Sequence, residues 1–272
     1  MPKQLMGRIV LLGVVLALVA TPVVAGPTPA GGYHWARKDS QFTLQVGDDL
    51  DGSWDGYLRK TVSDWNQSGT VTFRVVSGGT GAQDCRPQTG RVEVCNWNYG
   101  TQEGWLGLTR LYFDDSGDHI DAATVQMNDS FFEQNNGQYN NDASRQHTMC
   151  HELGHTPGLE HVNTSSCMND SQDAVQHQLV PINKDFNELD RIYQHKDSYT
   201  TVGGKQKKDK DEGKKKHKKH KRHQDDRATK DDFFLPTSLP AVPSGLVGTQ
   251  SEVVQTLEDG RKVVSFITWA AP

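Results

Sequence analysis

The chain of 272 residues lacks the features of several common classes of protein. It has only four cysteines, too few to hold a fold by disulfides alone, so the chain must form a hydrophobic core. Its longest apolar run, residues 9–20, is too short for a helix that crosses a bilayer. The net charge of −5 argues against a nucleic-acid-binding protein, and no internal repeat is present. The length allows one large domain or two small ones.

The N-terminal segment has the pattern of a secretory signal peptide. Lys3 and Arg8 precede the apolar run, and the small residues Val23-Val24-Ala25 follow it. We therefore predict a signal peptide at residues 1–25 and a secreted, extracellular protein with no membrane span after cleavage; an uncleaved membrane anchor is the alternative. Secretion predicts that Cys85, Cys95, Cys150 and Cys167 form disulfides.

Charge divides the remaining chain. Residues 26–204 carry an excess of acidic side chains, whereas residues 205–223 contain 11 basic and 3 acidic residues and no aromatic or β-branched residue. Such a segment cannot offset its ordering entropy by burial, so we predict a disordered Lys/His-rich linker at 205–230. It is a solvated spacer, or it binds an anionic cell-surface polymer; with no aromatic residue for base stacking, nucleic acid is the weakest alternative.

Hydrophobic periodicity predicts an α+β fold for residues 34–204. Alternation predicts strands at 42–46, 71–76, 91–96, 105–113 and 120–127, and helical spacing predicts a helix at 53–67. A second helix is predicted from 143 to 153, capped by Asn141 or Asp142, and a late helix is capped by Asn183. In the tail at 231–272, residues 252–257 and 261–269 flank a turn and predict a β-hairpin.

One motif, the stretch from His151 to His161, has the residue types of a metal-binding catalytic site. His151 and His155 are spaced to present two imidazoles on one face of a helix, and Gly158 allows a sharp turn that returns His161 as a third ligand. Three imidazoles leave the fourth tetrahedral position of one Zn²⁺ ion to water, the pattern of a catalytic site. Zinc lowers the pKa of that water, and Glu152 can act as the general base.

The motif HExxHxxGxxH at 151–161 resembles the metzincin clan of zinc endopeptidases, in particular its matrixin-like, secreted actinobacterial type. The clan has a Met-turn beneath the zinc, and Met168 fits that role; Asp170 replaces the tyrosine of astacin-like members, which favours a three-histidine site. The resemblance covers residues 34–197. It implies a zincin fold with a twisted, mostly parallel sheet, an antiparallel edge strand, an active-site helix and a C-terminal helix. It also implies a secreted, monomeric zinc endopeptidase acting on proteins or peptides.

The resemblance also bears on the cysteines. Three pairings are open, and a Met168 beneath the zinc makes Cys150 and Cys167 neighbours, which favours the pairs Cys150–Cys167 and Cys85–Cys95. The alternative for Cys150 is a role as metal ligand or nucleophile. Without a cysteine between the signal peptide and the domain, latency through a zinc-bound thiolate is excluded.

The resemblance implies that a peptide substrate pairs antiparallel with an edge strand near residues 104–112. The C-terminal hairpin could dock onto the domain, pair with another chain or cover the cleft as an inhibitor. Two other functions stay open: a cell-surface binding protein that keeps a zincin fold without turnover, and a zinc hydrolase of small amides.

The remaining polar signals are weaker. His119 and His147 are expected at the surface. A group of carboxylates offers oxygen ligands for Ca²⁺, with a solvated hairpin turn as the alternative. These are Asp114, Asp115, Asp118 and Asp121.

Overall fold

The computed structural model describes residues 32–102, 104–134, 137–203, 251–257 and 259–271. The predicted signal peptide, the predicted linker and residues 231–250 of the predicted tail lie outside this part of the chain. Within the described ranges, no helix has the length and apolar character needed to cross a membrane.

The described residues form one sheet and a set of helices. The strands are β1 (Phe42–Asp49), β2 (Val71–Ser77), β3 (Val92–Trp97), β4 (Trp105–Phe113), β5 (Ile120–Asn128), β6 (Glu252–Thr256) and β7 (Lys262–Trp269). The helices are α1 (Asp55–Trp65), α2 (Asp129–Phe132), α3 (Asp142–His155), α4 (Ala174–His177) and α5 (Asn183–Ile192).

The sheet has the strand order β2-β1-β3-β5-β4-β7-β6. Strands β2, β1, β3 and β5 are parallel, and β4 is antiparallel to both β5 and β7. Strand β7 therefore runs in the direction of the parallel group, so only β4 and β6 are reversed, and the sheet is mostly parallel as predicted.

One part of the predicted topology is wrong. Strand β4 was expected to be a free antiparallel edge, but the predicted C-terminal hairpin is present and its second strand, β7, pairs along β4. The outer strands of the sheet are β2 and β6. The physical reason is that β4 gains a full ladder of backbone hydrogen bonds from a segment about 150 residues further along the chain.

Helix α1 covers the core with a tryptophan at each end. Trp54, Leu58 and Trp65 are all buried. The indole of Trp65 donates a hydrogen bond to the carbonyl of Cys150 at 3.0 Å, and the indole of Trp54 donates to Asp129 at 2.8 Å. These bonds satisfy the polar ends of the two rings in an apolar setting, and they fix α1 against α3 and α2.

The two ends of helix α3 are determined by a capping side chain, a proline and a glycine. The Asn141 side chain accepts a hydrogen bond from the Ser144 backbone N–H at 2.9 Å, which makes Asn141 the N-cap. The helix ends at His155, two residues before Pro157. Gly158 follows with φ +100°, and a Cβ at this position would lie 1.8 Å from the Tyr33 carbonyl oxygen. Only glycine fits this turn.

Helix α5 differs from the prediction at its first residue. Asn183 was expected to cap it, but Asn183 is already helical and Ile182 occupies the N-cap position. The Asp185 carboxylate accepts the Ile182 backbone N–H at 2.7 Å, so a side chain within the helix satisfies the exposed donor.

Candidate metal centre

The three histidines of the motif converge at the end of α3. The Nε2 atom of His151 lies 3.0 Å from that of His155 and 3.1 Å from that of His161. Two of these side chains project from successive turns of the helix, and the third returns from the loop that Gly158 opens. All three ligand atoms lie within 4.8 Å of one another.

The hydrogen bonds of the rings show that this arrangement fits a metal ion. His151 Nδ1 lies 2.7 Å from the Cys167 carbonyl, and His155 Nδ1 lies 2.7 Å from the Leu159 carbonyl. Because a carbonyl only accepts, each Nδ1 carries the proton, and the unprotonated Nε2 atoms face one another. Tetrahedral zinc places nitrogen ligands roughly 3.4 Å apart, close to the spacings observed. A cation among the three Nε2 atoms resolves the repulsion between the lone pairs of His151 and His155.

The electrostatics of the site favour neutral imidazoles. His151 and His155 are completely buried, and burial followed by the neighbouring histidines holds their pKa values well below the usual range. His161 is partly exposed, and its Nδ1 lies 3.6 Å from an oxygen of Asp170. Burial also lowers the pKa of His161, against the opposing effect of Asp170. Neutral imidazole is the form that binds metal.

Glu152 lies beside the histidines and is also fully buried. Its two carboxylate oxygens accept hydrogen bonds from different strands, Oε2 from Thr109 Oγ1 at 2.6 Å and Oε1 from Thr268 Oγ1 at 2.6 Å. Burial raises the pKa of Glu152 to about 7, although the two threonine hydrogen bonds oppose this shift. A Cβ at Gly107 would lie 2.5 Å from Glu152 Oε1, so glycine allows β4 to approach this carboxylate.

Met168 and the second disulfide lie behind the helix. Met168 is buried, and a Cβ at Gly154 would lie 2.3 Å from its sulfur, so the glycine makes room for it. Cys150 and Cys167 are joined by a disulfide, and so are Cys85 and Cys95, the two pairs predicted. The alternative of Cys150 as a free ligand or nucleophile is therefore wrong.

The C-terminal strand β7 covers the site, which was one of three alternatives left open for the predicted hairpin. The ring of Phe266 stacks on His155 with centroids 4.1 Å apart and planes 6° apart, and it lies 5.8 Å from His161. Thr268, on the same strand, holds Glu152. The apolar pattern of residues 261–269 predicted a strand, but no spacing in the sequence relates that strand to the motif.

Two other histidine predictions need correction. His147 was expected at the surface, but it is buried in α3 with Nδ1 2.7 Å from the Gln178 carbonyl, because α3 packs on both the sheet and α4. His119 is only partly exposed and contacts Asp197 and Tyr199. A second group of potential metal ligands, His34, His195 and Asp197, has no spacing that indicates a site from sequence. The calcium alternative stays a prediction.

Comparison with known proteins gives only distant similarity. No protein-family model matches the chain, and no curated protein matches it. Among solved structures, myroilysin is 12% identical with a TM-score of 0.36, covering 59% of this chain and 96% of its own. An archaemetzincin from Archaeoglobus fulgidus is 10% identical with a TM-score of 0.32, covering 54% of this chain and 99% of its own. High choriolytic enzyme 1, a hatching enzyme and zinc protease from Oryzias latipes, is 11% identical with a TM-score of 0.33, covering 64% and 99%. These scores are too low to carry an inference, so function must be inferred from the chain itself.

Proposed function

We propose that this protein is a secreted zinc-dependent endopeptidase of the metzincin clan and of its matrixin-like type. The observation that carries the proposal is the convergence of the Nε2 atoms of three histidines beside a buried carboxylate. His151, His155 and His161 would hold the ion. When bound there, Zn²⁺ supplies a Lewis acid that polarises the substrate carbonyl and lowers the pKa of a water molecule.

Glu152 is the proton carrier of the reaction. Thr109 of β4 holds Oε2, whereas Thr268 of the C-terminal strand β7 holds Oε1, so displacement of β7 would free Oε1 to take a proton from the attacking water and deliver it to the leaving amine. The pKa of Glu152, raised by burial to about 7, suits a group that must both accept and release a proton near neutral pH.

Met168 and the Cys150–Cys167 disulfide support the site as a Met-turn. His151 donates its Nδ1 proton to the carbonyl of Cys167, the residue before Met168. The disulfide attaches the same residue to the helix, immediately before His151. This arrangement fixes the orientation of the first ligand, because a ligand's outer hydrogen bond sets its tautomer and ring angle.

The substrate is an extended peptide or unfolded protein. Strand β4 passes directly over Glu152, and its far edge accepts an antiparallel strand, as β7 demonstrates. Pairing through the backbone demands little of the substrate sequence, which favours a broad specificity. We retain the monomer, the extracellular location, and the binding of residues 205–223 to an anionic polymer as predictions.

One observation favours the second candidate, a binding protein that keeps the fold without turnover. His151, Glu152 and His155 have no solvent-exposed surface, which a working hydrolase cannot maintain. The two candidates make different predictions for a variant in which the contacts of strand β7 with the site are weakened.

The test is zinc analysis together with cleavage of unfolded casein by four full-length proteins. They are the wild type, the loosened variant Phe266→Ala/Thr268→Val, the same variant carrying Glu152→Ala, and His177→Ala as a control at an exposed histidine. An endopeptidase shows chelator-sensitive cleavage by the loosened variant, and Glu152→Ala removes it while zinc stays bound. If zinc binds but no variant cleaves casein, the binding protein is correct. Cleavage of small amides alone would identify the third candidate.

A further inference from the structure

A second group of metal-binding side chains lies away from the candidate metal centre. It joins the segment before β1, the turn between β4 and β5, and the segment after α5. His195 Nε2 lies 3.0 Å from His34 Nε2 and 3.6 Å from Asp197 Oδ1, and His34 Nε2 lies 3.9 Å from the same oxygen. His119 Nε2 approaches that oxygen to 3.2 Å. We call these four residues the His34 cluster.

The outer hydrogen bonds of this cluster direct lone pairs inward. His34 Nδ1 donates to the Gly32 carbonyl at 3.1 Å, which leaves Nε2 unprotonated in the neutral ring. The Tyr199 hydroxyl donates to Asp114 at 2.5 Å, so His119 Nδ1 must be the donor to that hydroxyl at 2.7 Å.

A neutral His119 therefore presents a lone pair to the Asp197 carboxylate, a repulsive contact that a cation relieves. Extra protons on the rings are the alternative to a cation.

The geometry suits a site for one ion. Tetrahedral zinc with nitrogen and oxygen ligands separates them by roughly 3.4 Å, and the ligand atoms of His34, His195 and Asp197 all lie within 4.8 Å of one another. These side chains would supply two imidazoles and one carboxylate, and His119 contacts the same carboxylate from the turn between β4 and β5.

We propose that His34, His195 and Asp197 form a second zinc site, with His119 holding the Asp197 carboxylate, and that this site fastens three segments of the chain together. This site is independent of the proposed function.

The test is zinc content after dialysis of the full-length protein against metal-free buffer. His195→Ala should lower the zinc content by one ion per chain relative to the wild type. His195 suits the purpose because its side chain is 41% exposed and its loss removes little packing. His177→Ala, at another exposed histidine beside an aspartate, should leave the content unchanged.

A second variant and a second measurement complete this test. Asp197→Asn keeps the shape of the side chain and should also lose one ion. Chelation should lower the thermal midpoint of the wild type by more than that of either variant. The proposal is overturned if both variants keep the zinc content of the wild type, in which case the cluster is a protonated His–Asp network.

The C-terminal hairpin carries a second and separate inference, which rests on the proposed function. Strand β7 pairs with β4 from Trp105, opposite Trp269, to Tyr112, opposite Val263. Strand β7 therefore uses the same backbone groups that an extended peptide would need for binding at this edge.

Two side chains of β7 block the chemical groups themselves. Thr268 Oγ1 donates to Glu152 Oε1, the oxygen assigned to proton transfer. Phe266 covers the ring of His155. We infer that the hairpin acts as an internal substrate mimic that keeps the enzyme latent until residues 251–271 are displaced or removed.

Contacts outside the site hold the hairpin in place. Gln172 donates to the Trp269 carbonyl at 2.8 Å, and the Tyr33 hydroxyl donates to Glu252 at 2.9 Å. The Lys262 ammonium lies 3.8 Å from the centre of the Phe113 ring. These contacts lie towards the ends of the hairpin and add to its pairing with β4.

The test compares casein cleavage by the full-length wild type, Phe266→Ala/Thr268→Val and Thr256→Val. Thr256 lies exposed on β6 and is the matched control for a threonine in the same hairpin. We expect the double variant to cleave at least tenfold faster than the wild type, with equal zinc content, and Thr256→Val to match the wild type. A synthetic peptide of residues 262–269 should inhibit the double variant in competition with casein.

The outcomes separate the two proposals. Equal cleavage by wild type and double variant, lost in both with Glu152→Ala, overturns latency and leaves the endopeptidase intact. Zinc binding without cleavage by any variant overturns the endopeptidase itself. If the double variant does not fold, the peptide is tested against the casein cleavage that the wild type shows. Failure of the peptide to inhibit that cleavage overturns the proposal that the hairpin is a substrate mimic.

Discussion

Removal of the Cys150–Cys167 disulfide should weaken zinc binding as well as stability. The bond closes a loop with a sequence separation of 17. Loop-closure entropy then gives about 3.1 kcal/mol of stabilisation at 25 °C. The same bond positions the Cys167 carbonyl that accepts the His151 Nδ1 proton at 2.7 Å. The variant Cys150→Ala/Cys167→Ala should therefore lose about tenfold in zinc affinity, since outer hydrogen bonds of ligands typically contribute 10–100-fold.

The other disulfide is a matched control. Cys85 and Cys95 are separated by 10 positions, which gives about 2.7 kcal/mol by the same relation. The variant Cys85→Ala/Cys95→Ala should lose nearly the same free energy of unfolding, but it touches no group of the candidate metal centre. Urea unfolding measures the stability of each variant, and competition with a chromogenic chelator measures zinc affinity at the His151 site in the His195→Ala background.

The comparison distinguishes a local effect from a global one. We expect two variants of similar stability and only one with weakened zinc binding. Equal losses of affinity would show that zinc binding follows overall stability. An unchanged affinity in the Cys150→Ala/Cys167→Ala variant would show that the Met168 turn positions the carbonyl without the disulfide, through contacts such as the Met168 N–H to Ser166 Oγ bond at 3.0 Å.

Three further predictions concern single positions. Gly154→Ala should destabilise the protein by about 1–3 kcal/mol, because the new Cβ would lie 2.3 Å from the Met168 sulfur. Gly56→Ala in α1, where a Cβ would have nothing within 4 Å, should stabilise the protein by up to about 1 kcal/mol, and chemical unfolding measures both variants. Asn141→Ala removes the N-cap of α3 and should cost about 1 kcal/mol in the same assay. Burial, followed by the hydrogen bond with Asp49, raises the pKa of Glu93 from 4.5 to about 8. The folded state therefore binds this proton more tightly, and the free energy of unfolding should fall as pH rises through that interval. Glu93→Gln should flatten the profile of unfolding free energy against pH, and an unchanged profile would contradict the assignment.

The parts of the molecule that sequence predicted are those fixed by local spacing. The four-residue interval between His151 and His155 places both rings on one face of α3, and the helix predicted to end at 153 ends two residues later, at His155 and ahead of Pro157. Alternating apolar residues located each strand, and the positions differ from the structure by no more than a few residues at the ends. Short-range geometry determines each of these features.

The parts that sequence missed depend on residues far apart along the chain. Strand β7 was recognisable as a strand, but its pairing with β4 depends on register between segments with no shared pattern. The His34 cluster draws on three loops, and no interval between His34, His119 and His195 signals a common site. The cap of α5 was misplaced because Asp185 satisfies the first N–H from within the helix.

The long pairing of β4 with β7 has a consequence for how an open form of this protein would behave in solution. All nine residues of β4 are buried, and its outer row of backbone groups pairs with β7. Without β7, the free backbone groups of β4 can pair with any extended chain, including another opened copy, and the apolar side chains of the strand add to that contact. Self-association would then compete with turnover, so the open form should remain dispersed only when it is dilute or well supplied with substrate.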